Sequence, residues 1–335
     1  MTTARDVAAA VGLSVSTVGR ALSDDPRISD ATKARVIAAA ETMGYVANRA
    51  ARMMRGASSD VIAVIVPDLS NGFYATIAHA LSGALTSNNW QLMLGESADD
   101  PRIERRHARG FVSAQVAGAI VVPTARPAPE TVQLLTSLPH VQLLRRVGQL
   151  KPYWFGIDDT GAIRQATEHL ITSGHRRIGF VGGTPDLPTG AARQRGYREA
   201  LADAGIPAPD ELVLLGPPLS MDHGRAAVAR LLALQDPPTA LVTASVQATR
   251  GVLEELLRHE VAVPQDLSVV GFGDEPGWSW WGPGLTTIAL PIQQLAATCA
   301  LWLLDRLAAG PDAHTAAYSS VSSGELVLRG STRGI

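Results

Sequence analysis

The sequence predicts an α/β protein with a small helical head and a larger body of repeated strands and helices. Its 335 residues suffice for about two domains. Residues 1–46 show apolar side chains at helical spacing, whereas over 60–335 short apolar runs alternate with amphipathic stretches. Hydrophobic residues make up 46% of the chain and charged residues 18%, which is enough to bury a core and excludes a disordered chain.

Composition excludes several classes of protein. The single cysteine, Cys299, excludes an internal disulfide framework and a cysteine-based metal centre, and no metal site or cofactor is predicted. The first residues lack the apolar core of a signal peptide, and Pro283 and Pro291 interrupt the longest uncharged run. We therefore expect a soluble, cytoplasmic protein without membrane contact.

Charge is distributed unevenly along the chain. The net charge is −2, but residues 1–59 carry eight basic and five acidic side chains, a net charge of +3, and the remainder carries −5. A basic head on an acidic body is a weak indication of nucleic-acid binding by the head.

The head reads as three short helices. The first lies over residues 6–12 and ends at Gly12, and Ser14 is placed to cap a second over residues 15–22. The third begins after Ser29 and ends before Gly44. Two short helices joined by a tight glycine turn form the helix-turn-helix pattern, although a plain three-helix bundle fits the spacing equally well.

Helical spacing also assigns the faces of these helices. Val18 and Leu22 of the second helix point to the core, and its Val15, Ser16 and Arg20 point outward. On the third helix the predicted core face consists of Val36, Ile37, Ala40 and Met43.

Three segments of the head resemble the DNA-binding domain of LacI/GalR-type transcriptional regulators. The first is RDVAAAVGLSVSTVGRAL at 5–22. The second, within 27–36, consists of RIS at 27–29, Thr32 and RV at 35–36. The third is MGYVAN at 43–48. The resemblance implies that the head binds double-stranded DNA. The Arg20 guanidinium could donate two hydrogen bonds to guanine O6 and N7. Gly19 departs from the family's usual serine. The implied DNA-binding residues are Thr3, Ser14, Val15, Ser16, Thr17, Arg20, Asn48 and Met54.

Residues 47–59 resemble the family's hinge helix and linker. Nine residues, 48–56, are too few for a stable isolated helix, so a coil-to-helix change on DNA is expected. Met54 stands where the family places a leucine that wedges into the minor groove. The alternative is that Met53 and Met54 are ordinary linker residues.

From Asp60 the chain alternates strands and helices, which predicts two doubly wound parallel sheets. The predicted strands are 61–66, 91–94, 119–122, 141–144, 178–181, 240–243 and 267–270. The predicted helices include 74–87, 161–173, 195–204, 224–234 and 249–259.

Motifs along the body resemble the periplasmic-binding-protein-like effector domain of the same family. They read IVPDLSN at 65–71, GIDD at 156–159, ATEHL at 166–170, GHRRI at 174–178, RQRGY at 193–197, LSVVGF at 267–272 and LTTI at 285–288. The resemblance implies two lobes. One consists of about 60–157 and 289–320, and the other of about 158–288 and 321–335. The chain is expected to cross between the lobes three times, near 156–159, 286–290 and 320–324. It also implies that a helix over 292–307 contributes to the dimer interface. The sequence shows no leucine-heptad tail after Leu328 of the kind that makes some relatives tetramers, so a homodimer is expected.

The resemblance implies a small-molecule effector between the lobes. Several positions that are acidic in the family are neutral or basic here, including Arg145, while Arg193 is retained. Because arginine pairs with carboxylates and phosphates, we expect an anionic effector such as a sugar acid, another small carboxylate or a sugar phosphate. The alternative is that Arg145 faces solvent and that the acidic positions were never effector contacts in this branch of the family. Trp278, Trp280 and Trp281 could line the cleft, the core or a dimer interface. The implied effector-binding residues are Ser70, Asn71, Phe73, Tyr74, Arg145, Arg193, Leu219, Ser245 and Asp274.

Other classes of protein fit less well. The glycine-rich runs at 179–183 and 271–277 match neither a dinucleotide-binding motif nor a phosphate-binding loop, and no catalytic residues are predicted. A solute-binding protein would share the body but has no use for the head. The sequence therefore predicts a dimeric repressor of a catabolic or uptake operon that reads a pseudo-palindromic operator, with a corepressor-dependent regulator as the alternative.

Overall fold

The computed structural model describes residues 2–23, 25–45, 59–310 and 316–335. Contacts divide the chain into two compact units, Met1–Ser59 and Asp60–Ile335. The described part of the first unit is helical, and the second contains two largely parallel sheets flanked by helices. The predicted α/β class with a helical head is confirmed.

The described part of the first unit contains three short helices, and capping side chains begin two of them. Ser14 Oγ accepts a hydrogen bond from the Thr17 amide at 3.1 Å, and Ser29 Oγ accepts one from the Thr32 amide at 3.4 Å. Gly12, which ends the first helix, has φ 67°, a left-handed conformation that glycine adopts without strain. The helices are α1 (Ala4–Val11), α2 (Val15–Ala21) and α3 (Asp30–Thr42).

The core of the head joins all three helices. Val7, Val18 and Val36 are fully buried, and Leu22 and Met43 pack against them. The expectation that Ile37 belongs to this core is wrong, because its side chain is 43% exposed. The buried face of α3 follows positions 36, 40 and 43, and Ile37 lies about 100° around the helix from Val36.

Lobe 1 of the second unit is a parallel sheet with helices on both faces. Its strand order is β11-β5-β4-β3-β1-β2, where the strands are β1 (Val61–Val66), β2 (Gln91–Glu96), β3 (Gly118–Val121), β4 (His140–Leu143), β5 (Tyr153–Ile157) and β11 (Tyr318–Ser322). Its helices are α4 (Gly72–Thr86), α5 (Pro101–Ser113), α6 (Pro129–Thr136) and α11 (Ile292–Ala309). Strand β1 is buried on both faces, which explains its uninterrupted apolar sequence.

Lobe 2 has the same layered construction. Its strand order is β12-β10-β9-β8-β6-β7, with β12 antiparallel to β10. The strands are β6 (Ile178–Gly183), β7 (Val213–Gly216), β8 (Ala240–Thr243), β9 (Ser268–Phe272), β10 (Thr286–Ala289) and β12 (Glu325–Val327). Its helices are α7 (Asp159–Thr172), α8 (Pro188–Asp203), α9 (Met221–Leu232) and α10 (Val246–Arg258). Helices α7 and α8 pack as one pair, and α9 and α10 as another.

The chain passes between the two sheets three times. It leaves lobe 1 between β5 and α7, returns between β10 and α11, and leaves again between β11 and β12. Each lobe is therefore assembled from separate stretches of the chain.

Several elements lie outside the predicted ones, namely β5, β7, β10, β11, β12, α5 and α6. Helix α5 buries Glu104, Ala108 and Phe111 at helical spacing, but one of these residues is charged and another is small, so few apolar side chains signal this helix in the sequence. Among the described helices, none combines the length and the apolar character that a membrane span needs.

Candidate functional site

A cleft lies between the two lobes, at the carboxyl ends of strands from both sheets. Open α/β sheets bind their ligands in this position. Lobe 1 contributes Asn71, Phe73, Tyr74, Leu144, Arg145 and Ile157, and lobe 2 contributes Asp159, Thr189, Arg193, Pro218, Leu219, Ser245, Val246 and Phe272.

Arg193 is held in the cleft by three partners. Its Nε donates to Oδ1 of Asp159 at 2.6 Å, its Nη1 donates to the Ala244 carbonyl oxygen at 2.8 Å, and its guanidinium carbon lies 3.9 Å from the centre of the Phe272 ring. Burial raises the pKa of the Asp159 carboxyl, and the adjacent Arg193 charge opposes that rise. The pair offers a fixed donor and a fixed acceptor side by side.

Arg145 points inward from a strained turn. Its amide donates to the Leu143 carbonyl oxygen at 2.7 Å, which makes Leu144 the centre of a γ-turn, and Leu144 has φ 61°, an unusual value for a residue with a side chain. The Arg145 side chain is only 3% exposed and donates through Nη1 and Nη2 to the two carboxylate oxygens of Asp99. The alternative that Arg145 faces solvent is wrong.

The charge of the cleft differs from the sequence-based expectation. That expectation treats Arg145 and Arg193 as excess positive charge, but Asp99 neutralises the first and Asp159 the second. Asp99 follows β2 and Asp159 begins α7, far in sequence from the arginines they meet. These side chains therefore do not give the cleft a net positive charge.

Ser245 and Asn71 line the cleft while serving their own helices. Ser245 Oγ donates to the Pro218 carbonyl oxygen at 2.9 Å and accepts from the Ala248 amide at 3.2 Å, so it caps α10. Asn71 caps α4 by accepting from the Phe73 amide at 3.1 Å. Both side chains therefore line the cleft while their oxygens accept hydrogen bonds from their own helices.

Two of the nine expected effector residues, Ser70 and Asp274, do not line this cleft. Ser70 is exposed, and its hydroxyl donates to Asp68 with an oxygen–oxygen distance of 2.6 Å. Asp274 lines a neighbouring groove and forms an ion pair with Arg329 at 2.7 Å, and this contact lowers the pKa of its carboxyl. The other expected residues lie together in the cleft wall: Asn71, Phe73, Tyr74, Arg145, Arg193, Leu219 and Ser245.

The cleft is also lined by seven residues that the sequence does not single out as effector contacts. They are Leu144, Ile157, Asp159, Thr189, Pro218, Val246 and Phe272. Asp159 and Phe272 lie within quoted motifs, GIDD and LSVVGF, and each closely follows or ends a buried strand. That position at a strand's carboxyl end is the signal that could have identified them.

The three tryptophans of the 277–282 segment have different surroundings. Trp278 is buried in the core of lobe 2, and its Nε1 has no hydrogen-bond partner among the described residues. Trp281 packs partly against the same core, whereas Trp280 is 78% exposed. None of the three is among the described residues that line the cleft between the lobes.

The head presents one face of α2 to solvent. Val15, Ser16 and Arg20 are exposed, and Arg20 Nη2 donates to Ser16 Oγ at 3.1 Å across one turn. Val18 and Ala21 on the opposite face are buried. A short helix with one face free and polar is the geometry that enters a major groove.

Thr3, Ser14 and Thr17, which are also expected at DNA, form hydrogen bonds at the starts of helices. Thr3 donates through its amide and hydroxyl to Asp6 Oδ2, each at 2.8 Å, at the start of α1. The Ser14 and Thr17 hydroxyls share a hydrogen bond of 2.8 Å at the start of α2. Asn48 and Met54 lie outside the described residues.

A helix-turn-helix head and a two-lobed body with a cleft between its lobes define a class of DNA-binding regulators. Residues 3–48 match the profile described as bacterial regulatory proteins, lacI family, and residues 167–332 match that of a periplasmic binding protein-like domain. The chain belongs to the LacI family of bacterial regulators.

Characterised relatives extend along nearly the whole chain. The HTH-type transcriptional repressor CytR of Escherichia coli strain K12 is 29% identical over 334 residues, which cover 99% of this chain and 97% of CytR. The HTH-type transcriptional regulator GalR of Salmonella typhimurium strain LT2 is 30% identical over 301 residues, which cover 90% of this chain and 88% of GalR.

Solved structures share the fold. A complex of the transcriptional regulator CelR with cellobiose has a TM-score of 0.73 and 30% identity, and covers 99% of this chain and 100% of that one. The lac repressor dimer bound to operator and the anti-inducer ONPF has a TM-score of 0.85 and 22% identity, and covers 99% of both chains.

Proposed function

We propose that this protein is a repressor whose α2 reads an operator in the major groove and whose cleft binds a small effector that changes DNA affinity. The observation that carries the proposal is the exposed face of α2 formed by Val15, Ser16 and Arg20. The regulated genes would be those for catabolism or uptake of the effector.

The test is operator selection from random duplexes, followed by binding measurements on Arg20→Ala. A lost bidentate contact to guanine should weaken the selected operator by about 1–3 kcal/mol and leave nonspecific DNA nearly unchanged. Arg27→Ala is the matched control, because Arg27 is exposed but pairs with Asp25 outside α2. Equal loss of specific and nonspecific affinity in Arg20→Ala would contradict the role of Arg20 as a base reader.

The proposed assembly is a homodimer on a pseudo-palindromic operator, with Asn48 and Met54 acting at its centre. Exposed apolar side chains on both lobes support self-association: Met93 and Leu94 on the edge strand β2, and Leu257 and Trp280 in lobe 2. On α11, the proposed interface helix, Leu301 is also exposed. Sedimentation of the wild type and of Leu257→Asp tests the proposed homodimer. A monomeric wild type would contradict it.

For the effector, the cleft favours a neutral molecule with adjacent hydroxyl groups. Asp159 can accept from one hydroxyl while Arg193 donates to its neighbour, and the two side chains are held 2.6 Å apart. An anion must instead compete with Asp99 or Asp159 for an arginine. A thermal-shift screen of neutral sugars and nucleosides against sugar acids and sugar phosphates decides between the two classes, because binding at a hundredfold excess over Kd adds about 2.7 kcal/mol of stability.

Effector and DNA must influence each other equally. If the effector weakens operator binding by a given factor, the operator weakens effector binding by the same factor, and a corepressor would reverse both signs. Calorimetric titration of the effector with and without operator measures the sign. Identical effector affinity in the two titrations would contradict regulation by this effector.

A further inference from the structure

Glu275 of lobe 2 reaches across the lobe boundary to the first residue of α4 in lobe 1. Its Oε2 accepts from Arg250 Nε at 3.0 Å and from Arg250 Nη2 at 2.6 Å, both within lobe 2. Its Oε1 faces Gly72, where an added Cβ would lie only 2.5 Å from that oxygen. One carboxylate oxygen therefore pairs with Arg250 in lobe 2, and the other lies against the start of α4 in lobe 1.

The start of α4 suits a carboxylate. The first amides of a helix have no partners within the helix, and they give its beginning a partial positive charge. The Asn71 side chain accepts from the Phe73 amide, and the Asn71 carbonyl oxygen accepts from the Ala75 amide, so the attraction of Glu275 to the start of α4 is one of charge rather than of a hydrogen bond. Glu275 is mostly buried, with its side chain 15% exposed, so solvent screens this attraction incompletely.

We propose that the Gly72–Glu275 contact is an intramolecular latch that favours the closed arrangement of the two lobes before any effector binds. Because α4 and its cap contain the cleft residues Asn71, Phe73 and Tyr74, Glu275 is also a positioning residue for the cleft. This inference depends on the two lobes alone and holds whether or not the proposed DNA and effector roles do.

A second polar contact crosses the boundary, and it is weaker. Arg126 of lobe 1 pairs with Asp186 of lobe 2 at 2.6 Å, but both side chains are more than half exposed. Exposed pairs contribute little and are screened by salt. The latch therefore rests on Glu275.

Gly72→Ala tests the latch without harming the helix. Alanine favours helix formation more than glycine does, and Gly72 does not have a positive φ, so the substitution only displaces the Glu275 carboxylate. Gly83→Ala is the matched control in the same helix, because a Cβ there would meet no described atom within 4 Å.

The readout is the distance between spin labels at Gln133→Cys in lobe 1 and Ala202→Cys in lobe 2, measured by electron–electron double resonance. Both positions are exposed, whereas the native Cys299 is fully buried and should not react. The labelled full-length chain is diluted with excess unlabelled chain, so that only distances within one chain contribute.

We expect a single short-distance population in the effector-free wild type and in Gly83→Ala. In Gly72→Ala the ratio of closed to open chains should fall about five- to tenfold, and Glu275→Gln, which keeps the side-chain length but removes the charge, should give an intermediate shift. A Gly72→Ala distribution identical to that of Gly83→Ala overturns the latch. An unchanged Glu275→Gln distribution overturns its electrostatic basis.

Discussion

Arg193 and Asp159 form a buried ion pair inside the cleft, with 2.6 Å between Nε and Oδ1 and side-chain exposures of 14% and 6%. Both residues belong to lobe 2, from α8 and α7. The pair therefore persists whether the lobes are open or closed, and it presents the same donor and acceptor to an arriving ligand.

Arg193→Met should lower the free energy of unfolding by about 3–5 kcal/mol at neutral pH, because Asp159 would be left buried without a counter-charge. The loss should shrink on acidification. The folded-state pKa of Asp159 is raised above its ordinary value of 3.8. The destabilisation of the fold by the ionised Asp159 carboxylate is therefore absent below pH 3.8, and it develops as the pH rises through the folded pKa. Urea unfolding at pH 5 and pH 7.5 measures both effects. Arg164→Met, which breaks exposed pairs with Glu168 and Asp203, should cost under about 1 kcal/mol.

Arg145 and Asp99 should show strong coupling in a double-mutant cycle. Arg145→Met or Asp99→Asn alone leaves a partner without its counter-charge and should cost about 3–5 kcal/mol, whereas the double variant should recover much of that loss. Chemical unfolding of the four proteins gives the coupling energy. Strictly additive losses would show that the ion pair does not hold this part of the cleft.

Protonation of buried histidines should destabilise the fold in mild acid. Burial lowers the pKa of His175, which contacts Thr239 and Ser268 through its two ring nitrogens. The stability that His175 contributes is therefore complete above pH 6.5 and is lost as pH falls through its lowered folded pKa. The difference in stability between the wild type and His175→Gln should therefore decrease from pH 7.5 to 5.5. A constant difference would contradict the assignment.

The tryptophans of the 277–282 segment should differ sharply in their effect on stability. Trp278→Ala removes a buried side chain from the core of lobe 2 and should cost about 3–5 kcal/mol. Trp280→Ala removes an exposed one and should change the stability of the protomer by less than about 0.5 kcal/mol. Thermal unfolding at low protein concentration compares them, and equal losses would contradict the placement of Trp278.

Short-range patterns in the sequence predict most of the fold. Strand β1 is a continuous apolar run because both of its faces are buried, and α2 follows its cap at Ser14. Edge elements are harder to predict: β11 reads YSSVS and is mostly exposed, so it lacks an apolar signal. Ile37 illustrates a second limit, since apolar character alone does not assign a residue to the buried face.

The cleft shows what sequence spacing cannot supply. Motifs single out Arg193 and Arg145, and the structure places both in the cleft, but their partners Asp159 and Asp99 lie 34 and 46 residues away. Only the packing of strands in the sheets brings these charges together. The net charge of a site assembled from distant segments therefore cannot be read from the residues of a few motifs.

The interleaving of the lobes has a consequence for synthesis on the ribosome. Helix α4 packs its buried face, including Ile77 and Leu81, against α11, which ends at Ala309 after nearly all of lobe 2. At about 5–20 residues per second, roughly 8–30 s separate the emergence of β5 from that of α11. During that interval the nascent lobe 1 exposes the apolar face of α4, which makes it a ready target for chaperones that bind exposed hydrophobic surface.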